Sequence, residues 1–314
     1  MTTEIIIPTY RPGKELEELL RRLISQSCPP DSVRLINTEE KYWDPGLENR
    51  FYSYACSLGR TCGWSLSHIS SREFDHGGTR EAAAAASCAD IMVFMTQDAL
   101  PADRHMLEHL INALLRSPEI GAAYARQLPR CDADPIERYA REFNYPPRPV
   151  IRSQKDVARY GIKTYFCSNV CAAYNREIFM KLDGFPRKTI FNEDMIYTGR
   201  LLQKGYKVAY AADALVLHSH NYTLRQQFRR NFDLGVSQAQ FPEIFSEISS
   251  EGEGAAMVKK NASRLIRERD YAAVFRLGIQ SFSKYSGYWL GKRYQKIPAK
   301  IIRRLTMNRE YWDS

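Results

Sequence analysis

Long apolar runs are missing from this chain: no uncharged stretch reaches the roughly 18 residues that a membrane span requires. The first residues, Met1-Thr2-Thr3-Glu4-Ile5-Ile6-Ile7-Pro8, carry neither a basic leader nor an extended hydrophobic segment, so a cytoplasmic protein is expected. Cysteine is sparse. The seven present (Cys28, Cys56, Cys62, Cys88, Cys131, Cys167, Cys171) form an odd set without a Cys-x-x-Cys pair, which argues against a disulfide framework or a zinc ribbon. Cys167 and Cys171 read as small core residues, because no histidine or further cysteine completes a tetrahedral set beside them. Repeats with a period of roughly 20 to 50 residues and low-complexity tracts are also missing, which excludes collagen-like chains, solenoids and propellers. What the chain does have is 314 residues, 44% apolar and 12% aromatic, enough to bury the core of one large domain or two smaller ones.

The net charge of +9 suggests nucleic acid until its position is considered. Residues 255–314 hold 14 Lys/Arg against 4 Asp/Glu, whereas 1–254 hold 31 against 32. The body is neutral and the excess belongs to the tail. With no recognition motif in a neutral body, a nucleic-acid partner is not expected.

The apolar pattern opens as α/β. Ile5-Ile6-Ile7 is a short β-branched run ended by Pro8, and Leu16, Leu19, Leu20, Leu23 and Ile24 repeat at helical spacing. Val33 to Ile36 is a second strand, giving strand, helix, strand within the first 37 residues. A helix over Thr79 to Ser87 is expected from its five alanines, and Ile91 to Met95 forms a third core strand. Pro101 and Asp103 open a helix with Leu107, Leu110, Ile111, Leu114 and Leu115 on its apolar face. The section from about 124 to 190 has weaker periodicity and reads as loops around a pocket. A helix from about Glu193 to Lys204 stops at Gly205, and Val208 to Leu217 is a strand running into His218-Ser219-His220. The run from Ser249 to Gly254 marks the expected boundary between a body, 1–254, and a basic helical segment, 255–314.

Ligands of open α/β sheets bind beyond the carboxyl ends of strands. Here those positions are Pro8-Thr9-Tyr10-Arg11, Asn37-Thr38-Glu39, Thr96-Gln97-Asp98 and His218-Ser219-His220. Asp98 with a histidine from another strand end suits a divalent cation held against a pyrophosphate; a turn or a helix cap would use the same aspartate. His218 and His220 face one way on an extended strand but need not in a turn, and either can be purely structural. Asp75-His76-Gly77-Gly78-Thr79-Arg80 sets two glycines before a helix and a fixed cation after them, as a phosphate or base edge requires, or else is an ordinary loop capped by Thr79. Glu193 and Asp194 open a helix, as dipole partners or as a general base.

The ordered set Ile5 to Tyr10, His76 to Arg80, Thr96 to Asp98, Glu193-Asp194 and His218 to Tyr222 resembles glycosyltransferase family 2 with its GT-A fold. The phrases Phe74 to Arg80, Thr96 to Ala99, Phe143 to Pro146 and His218 to Tyr222 are similar to bacterial rhamnosyltransferases that build cell-surface polysaccharide. The resemblance spans roughly 4–240 and implies a Rossmann-like nucleotide-sugar-binding mixed sheet flanked by helices. It implies that Pro8, Thr9, Tyr10, Arg11, Gly78, Thr79, Arg80, Gln97 and Asp98 line the donor site. Asp98, His218 and His220 would bind Mg²⁺ or Mn²⁺, and Asp194, with Glu193 beside it, would act as general base. The implied reaction is inverting transfer from a nucleotide sugar, dTDP-β-L-rhamnose in the narrower match, by single displacement. The chain departs from the family where relatives carry aspartates after the second strand: it has Asn37-Thr38-Glu39-Glu40, so Thr38 or Glu39 is expected to take over base or ribose recognition. Thr96-Gln97-Asp98 also offers one carboxylate where the family pattern has two.

The tail interleaves cations such as Lys259, Arg264, Arg276, Lys292 and Arg303 with Tyr271, Phe275, Phe282, Tyr285 and Trp289. That mixture suits the anionic inner face of the plasma membrane, where a lipid-linked saccharide acceptor would be met; a helical pair packed on the body or on a second copy of the chain is the alternative. Two rival functions are a transferase using a UDP-hexose and a membrane-associated nucleotide-sugar-binding scaffold without turnover.

Overall fold

The computed structural model describes residues 1–246 and 251–313. Its first half runs β1 (Thr3–Tyr10), α1 (Lys14–Ile24), β2 (Ser32–Thr38), α2 (Leu47–Ser57), β3 (Gly63–Ile69), α3 (His76–Ala85), β4 (Ile91–Met95), β5 (Leu100–Pro101) and α4 (Met106–Leu114). Next come β6 (Ile120–Leu128), α5 (Pro135–Asn144), β7 (Val150–Arg152), α6 (Val157–Tyr160), β8 (Cys171–Asn175), α7 (Arg176–Lys181), α8 (Glu193–Gln203) and β9 (Lys207–Leu217). Five helices follow: α9 (Leu224–Gln240), α10 (Pro242–Phe245), α11 (Glu251–Arg267), α12 (Tyr271–Gly291) and α13 (Ala299–Leu305). Of the expected boundary run, Ser249 and Ser250 lie outside the described residues, and α11 begins at Glu251.

The strands form one mixed sheet in the order β3-β2-β1-β4-β8-β6-β9-β5, with β7 also paired to β9. β3, β2, β1 and β4 are parallel; β8 runs against both β4 and β6. The chain leaves β1 for β2 on one side and returns to β4 on the other, so a crevice opens beyond the carboxyl ends of β1 and β4. Period-two alternation splits the core between the two faces of the sheet. Ile5, Ile7, Val93 and Met95 pack with the buried leucines of α1 and α4, while Ile6, Met92 and Phe94 meet Tyr174, Phe179, Phe185 and Tyr197.

β1 continues past Pro8 to Tyr10 because β4 pairs only with Thr3 to Ile6; beyond that point a missing N–H breaks no ladder bond on the β4 side. α3 starts three residues before Thr79, since Asp75 is its cap. α4 starts at Met106, after β5 has occupied the Pro101 position. The 124–190 region contains strands as well as loops, because β8 is built from alanines small enough to sit centrally without an apolar run.

α12 lies along α9 at unusually short range. A Cβ on Gly287 or Gly291 would fall inside contact distance of the Phe228 or Phe232 carbonyl oxygen. Smaller apolar clusters tie α5 to α11 and α12, through Ile136, Tyr139, Leu265 and Leu277, and α9 to α13, through Phe232, Val236 and Ile302.

Candidate active site

β5 pairs antiparallel with the end of β9, Leu100 opposite Leu217, and this brings the turn after β4 against the residues after β9. Asp98 Oδ2 lies 3.3 Å from His220 Nε2 and 3.6 Å from His218 Nε2, and the two Nε2 atoms are 3.1 Å apart. Asp98 does not cap a helix, since α4 begins only at Met106.

The tautomer of His218 is fixed by its neighbours. Gln127 Nε2 donates to Ser168 Oγ at 3.0 Å, so the Gln127 Oε1 atom is an acceptor, and Arg141 also donates to it. The His218 Nδ1 atom 3.2 Å from that oxygen must therefore carry the proton, leaving the Nε2 lone pair facing Asp98. Burial lowers the pKa of His218 to about 3, and burial likewise lowers His220, against the pull of Asp98. Burial pushes the Asp98 carboxyl upward, but the attraction it would have for His218 and His220 in their charged forms outweighs this, and its pKa is lowered. One carboxylate and two neutral imidazoles, with ligand atoms all within 4.8 Å, are a donor set that fits a divalent cation.

The cleft that these three residues line also carries the acid pair. Asn192, in the left-handed region at φ 66°, turns the chain into α8 and places Glu193 and Asp194 in its first turn. Asp194 accepts from the Asn169 N–H at 2.9 Å and the Met195 N–H at 2.8 Å. Burial, followed by the charge of Glu193, raises its pKa to about 7 despite those donors. Glu193, expected beside Asp194 at the catalytic position, is enclosed: it pairs with Arg80 at 3.3 Å, both side chains buried, and accepts from Asn169 Nδ2 at 3.0 Å. Asp194 has no such cation partner within ion-pair distance among the described residues. Asn169 holds both acids at once, and Tyr174 OH donates to its Oδ1 at 2.8 Å.

Asp98, His218, His220, Arg80, Glu193 and Asp194 all line one cleft of about 480 Å³. A second hollow of about 520 Å³ beside α4 and β9 holds none of them.

The strand-end residues assigned to the nucleotide form a shelf next to this cleft. Gln97 exchanges two hydrogen bonds with the Tyr10 backbone, at 2.9 and 3.0 Å, tying the end of β1 to the Asp98 turn. Pro8 and Thr9 lie within β1, and Thr9 Oγ1 donates to Asn37 Oδ1 at 3.2 Å. Exposed Arg11 bonds Tyr42 OH at 3.0 Å, and Tyr10 meets the Tyr42 ring edge-on at 5.9 Å. Thr38 is buried with its hydroxyl unpartnered. Glu39 accepts from the Ser71 N–H at 2.8 Å, which lowers its pKa to about 2, and it pairs with Lys41.

The N–H groups of the Gly77-Gly78 turn are engaged within the protein. Asp75 takes the N–H groups of Gly77 and Gly78, at 3.0 and 2.6 Å, and that of Thr189 at 3.0 Å, while Thr79 Oγ1 accepts from the Asp75 N–H. These residues lock α3 to the loop before α8. Of this segment, His76 and Arg80 line the cleft.

Gln127, Arg141, Asn169, Arg230 and Lys284 also line the cleft and carry no sequence signal of their own. Only their neighbours in space distinguish them.

A model of the family described as glycosyl transferase family 2 matches residues 4–183. The O-antigen chain rhamnosyltransferase WbaN of Salmonella anatum is 43% identical over 313 residues, covering 99% of this chain and 95% of the relative. RfbN of Salmonella typhimurium, of the same description, is 38% identical over 316 residues, covering 100% and 97%. Among solved structures, the mannosyltransferase PcManGT from Pyrobaculum calidifontis, in complex with GDP-Man and Mn²⁺, superposes with a TM-score of 0.59 at 16% identity, over 94% of this chain and 86% of that one. Staphylococcus aureus TarS with UDP-GlcNAc gives 0.53 at 12%, over 94% and 92%. At such identities these two speak for the fold alone, which is GT-A.

Proposed function

The chain belongs to glycosyltransferase family 2, and from that premise we propose that it moves L-rhamnose from dTDP-β-L-rhamnose to a saccharide acceptor, itself lipid-linked, in cell-surface polysaccharide synthesis. The rhamnosyl reading draws on relatives that match nearly the whole chain. The observation that carries the chemistry is that Asp98 with its two histidines and Asp194 line one cleft.

Asp98, His218 and His220 would hold Mg²⁺ or Mn²⁺, and two imidazole nitrogens favour Mn²⁺. The ion, when bound, neutralises charge on the departing diphosphate. Asp194 accepts the proton of the acceptor hydroxyl as its oxygen bonds to the anomeric carbon and the bond from that carbon to the diphosphate breaks. Two backbone N–H groups hold the Asp194 carboxylate in place. A pKa of about 7 keeps it a competent base near neutrality, and the role is typically worth about 10²–10⁴ in rate. Pro8, Thr9, Tyr10, Arg11, Thr38, Glu39 and Gln97 would seat the nucleoside on the adjoining shelf.

None of the described helices is long and apolar enough to cross a membrane. The exposed aromatic face of α12 with its flanking cations suits peripheral contact with the cytoplasmic leaflet.

The decisive experiment measures nucleotide release from dTDP-rhamnose, UDP-glucose, UDP-galactose and GDP-mannose, with and without Mn²⁺ or Mg²⁺, in the presence of lipid-linked saccharide. We expect turnover of dTDP-rhamnose with metal, abolished by Asp194→Asn at unchanged donor affinity, and Asp98→Ala weakening metal-dependent donor binding. Preference for a UDP sugar would retire the rhamnosyl assignment, and donor binding without product would favour the scaffold.

A further inference from the structure

Two cations in the cleft have no ion-pair partner among the described residues. Arg230, on α9, holds its guanidinium 4.5 Å from the Phe191 ring centre and 5.7 Å from that of Tyr222. Lys284, on α12, lines the same cleft as Asp98 and Asp194. The carboxylates facing Lys284 belong to α5 and are committed elsewhere: Glu137 pairs with Arg141 at 2.7 Å, and Asp134 caps α5 through the Glu137 N–H at 2.9 Å. Arg141 and Arg230 are the other charges near it, two cations against the two α5 carboxylates, so Lys284 itself leaves the group with one unbalanced positive charge. Burial lowers the pKa of Lys284 in keeping with that desolvation.

The position of Lys284 follows from how α12 packs. At 3.6 residues per turn, Ala273, Leu277, Lys284, Gly287 and Gly291 fall on one face, the face buried against α9 and α5. Ser283 Oγ donates to the Leu224 carbonyl at 2.9 Å and fixes the register between α12 and the start of α9. A lysine on the glycine seam of a helix pair is costly to bury unless an anion meets it. The carboxylates of the cleft are engaged elsewhere: Glu193 pairs with Arg80, Asp98 faces the histidines, Asp194 is held by two backbone N–H groups, and Glu137 pairs with Arg141.

We infer that Lys284 and Arg230 grip a diphosphate, that of the nucleotide-sugar donor, within the cleft that also carries the Asp98–His218–His220 cluster. The basic C-terminal segment thus contributes a binding residue to the reaction itself. This inference rests on the transferase reading but not on the identity of the sugar or base. A lipid-linked acceptor can also present a diphosphate. Arg230 lies near enough to His218 and His220 to bear on the charge of both, which favours the donor.

The test titrates the full chain with dTDP, dTMP, UDP and UMP, and with farnesyl diphosphate and farnesyl monophosphate, each with and without Mn²⁺. For whichever base binds, Lys284→Met and Arg230→Met are each expected to weaken the nucleoside diphosphate by roughly tenfold or more while leaving the monophosphate within about twofold. Lys284→Arg is expected to restore most of the diphosphate preference, and it separates charge from folding if the methionine variant melts early. A wild-type ratio of diphosphate to monophosphate affinity in both methionine variants, or equal losses for both nucleotides, overturns the inference. So does a loss confined to the farnesyl pair. Binding of uridine in place of thymidine nucleotides would retire the rhamnosyl reading and leave this comparison intact.

Discussion

The neighbours of Asp194 set its basicity, and they predict how it responds to change. Glu193 holds a negative charge next to it and so raises its pKa, while Arg80 opposes that effect. Glu193→Gln removes the raising charge and frees Arg80 to act on Asp194 alone. Both changes lower the Asp194 pKa below about 7, so the acid limb of the activity profile, which rises as Asp194 loses its proton, moves to lower pH. Activity at pH 6 relative to pH 8 should therefore increase in this variant even as total activity falls. Opening a buried ion pair costs about 3 kcal/mol or more, so a lower melting temperature is expected as well. An unmoved acid limb would show that another group carries the titration. Asp98 and Asp194, which the structure places in one cleft, were legible as candidates because each sits where a strand ends or a helix begins. Gln127 and Asn169 were not: Gln127 gains its meaning from a histidine 91 positions away, and Asn169 from acids 24 and 25 positions away.

Elements whose burial is written in their own residues are the ones the chain announces. The Ile-Ile-Ile run of β1, the leucines of α1 and the five apolar residues of β4 are each buried throughout. β3, Gly-Trp-Ser-Leu-Ser-His-Ile, is an edge strand with no fully buried residue, so no periodicity marks it. β8 is central, yet its small side chains give no β-branched signal. The α9–α12 pair depends on what is missing from its seam, and two glycines of α12 test that reading with opposite signs. Gly278 has nothing within 4 Å of a would-be Cβ, so Gly278→Ala should stabilise by about 0.5–1 kcal/mol through helix propensity. Gly287→Ala sets its Cβ against the Phe228 carbonyl and should destabilise by about 1–3 kcal/mol, pushing α12 outward and weakening nucleoside diphosphate binding through Lys284. Denaturation midpoints of the two variants read this directly; stabilisation by both would mean the helices do not meet along the glycines.

At the scale of the whole molecule, one helix separates the cleft from an apolar outer surface. On α12 the face opposite Lys284 and the glycines carries Tyr271, Phe275, Phe282, Tyr285 and Trp289, with Phe275 71% and Phe282 73% exposed. Exposed Arg276 lies on the same helix, and Arg293, Lys296, Lys300, Arg303 and Arg304 are exposed in the chain just beyond it, Arg303 paired with Asp313. Aromatic rings that water surrounds on a basic surface match an anionic bilayer, where the rings enter the interface and each nearby cation adds about 1 kcal/mol. A helix is only about 10 Å across, so docking by this face would hold the catalytic cleft within reach of a saccharide on a membrane lipid. The chain should therefore float with vesicles of phosphatidylglycerol and phosphatidylethanolamine and remain behind with pure phosphatidylcholine. Phe275→Asp with Phe282→Asp should abolish flotation at every ionic strength, whereas Lys300→Glu with Arg303→Glu should abolish it at physiological salt and leave a residue of binding at low salt, where screening is weaker. Transfer to a water-soluble acceptor should survive both pairs, because neither touches the cleft, and transfer to the lipid-linked acceptor should fall with flotation. If the wild type sediments as a dimer that the aspartates dissolve into monomers, while vesicle binding is unchanged, the face belongs to a second copy of the chain and not to the bilayer.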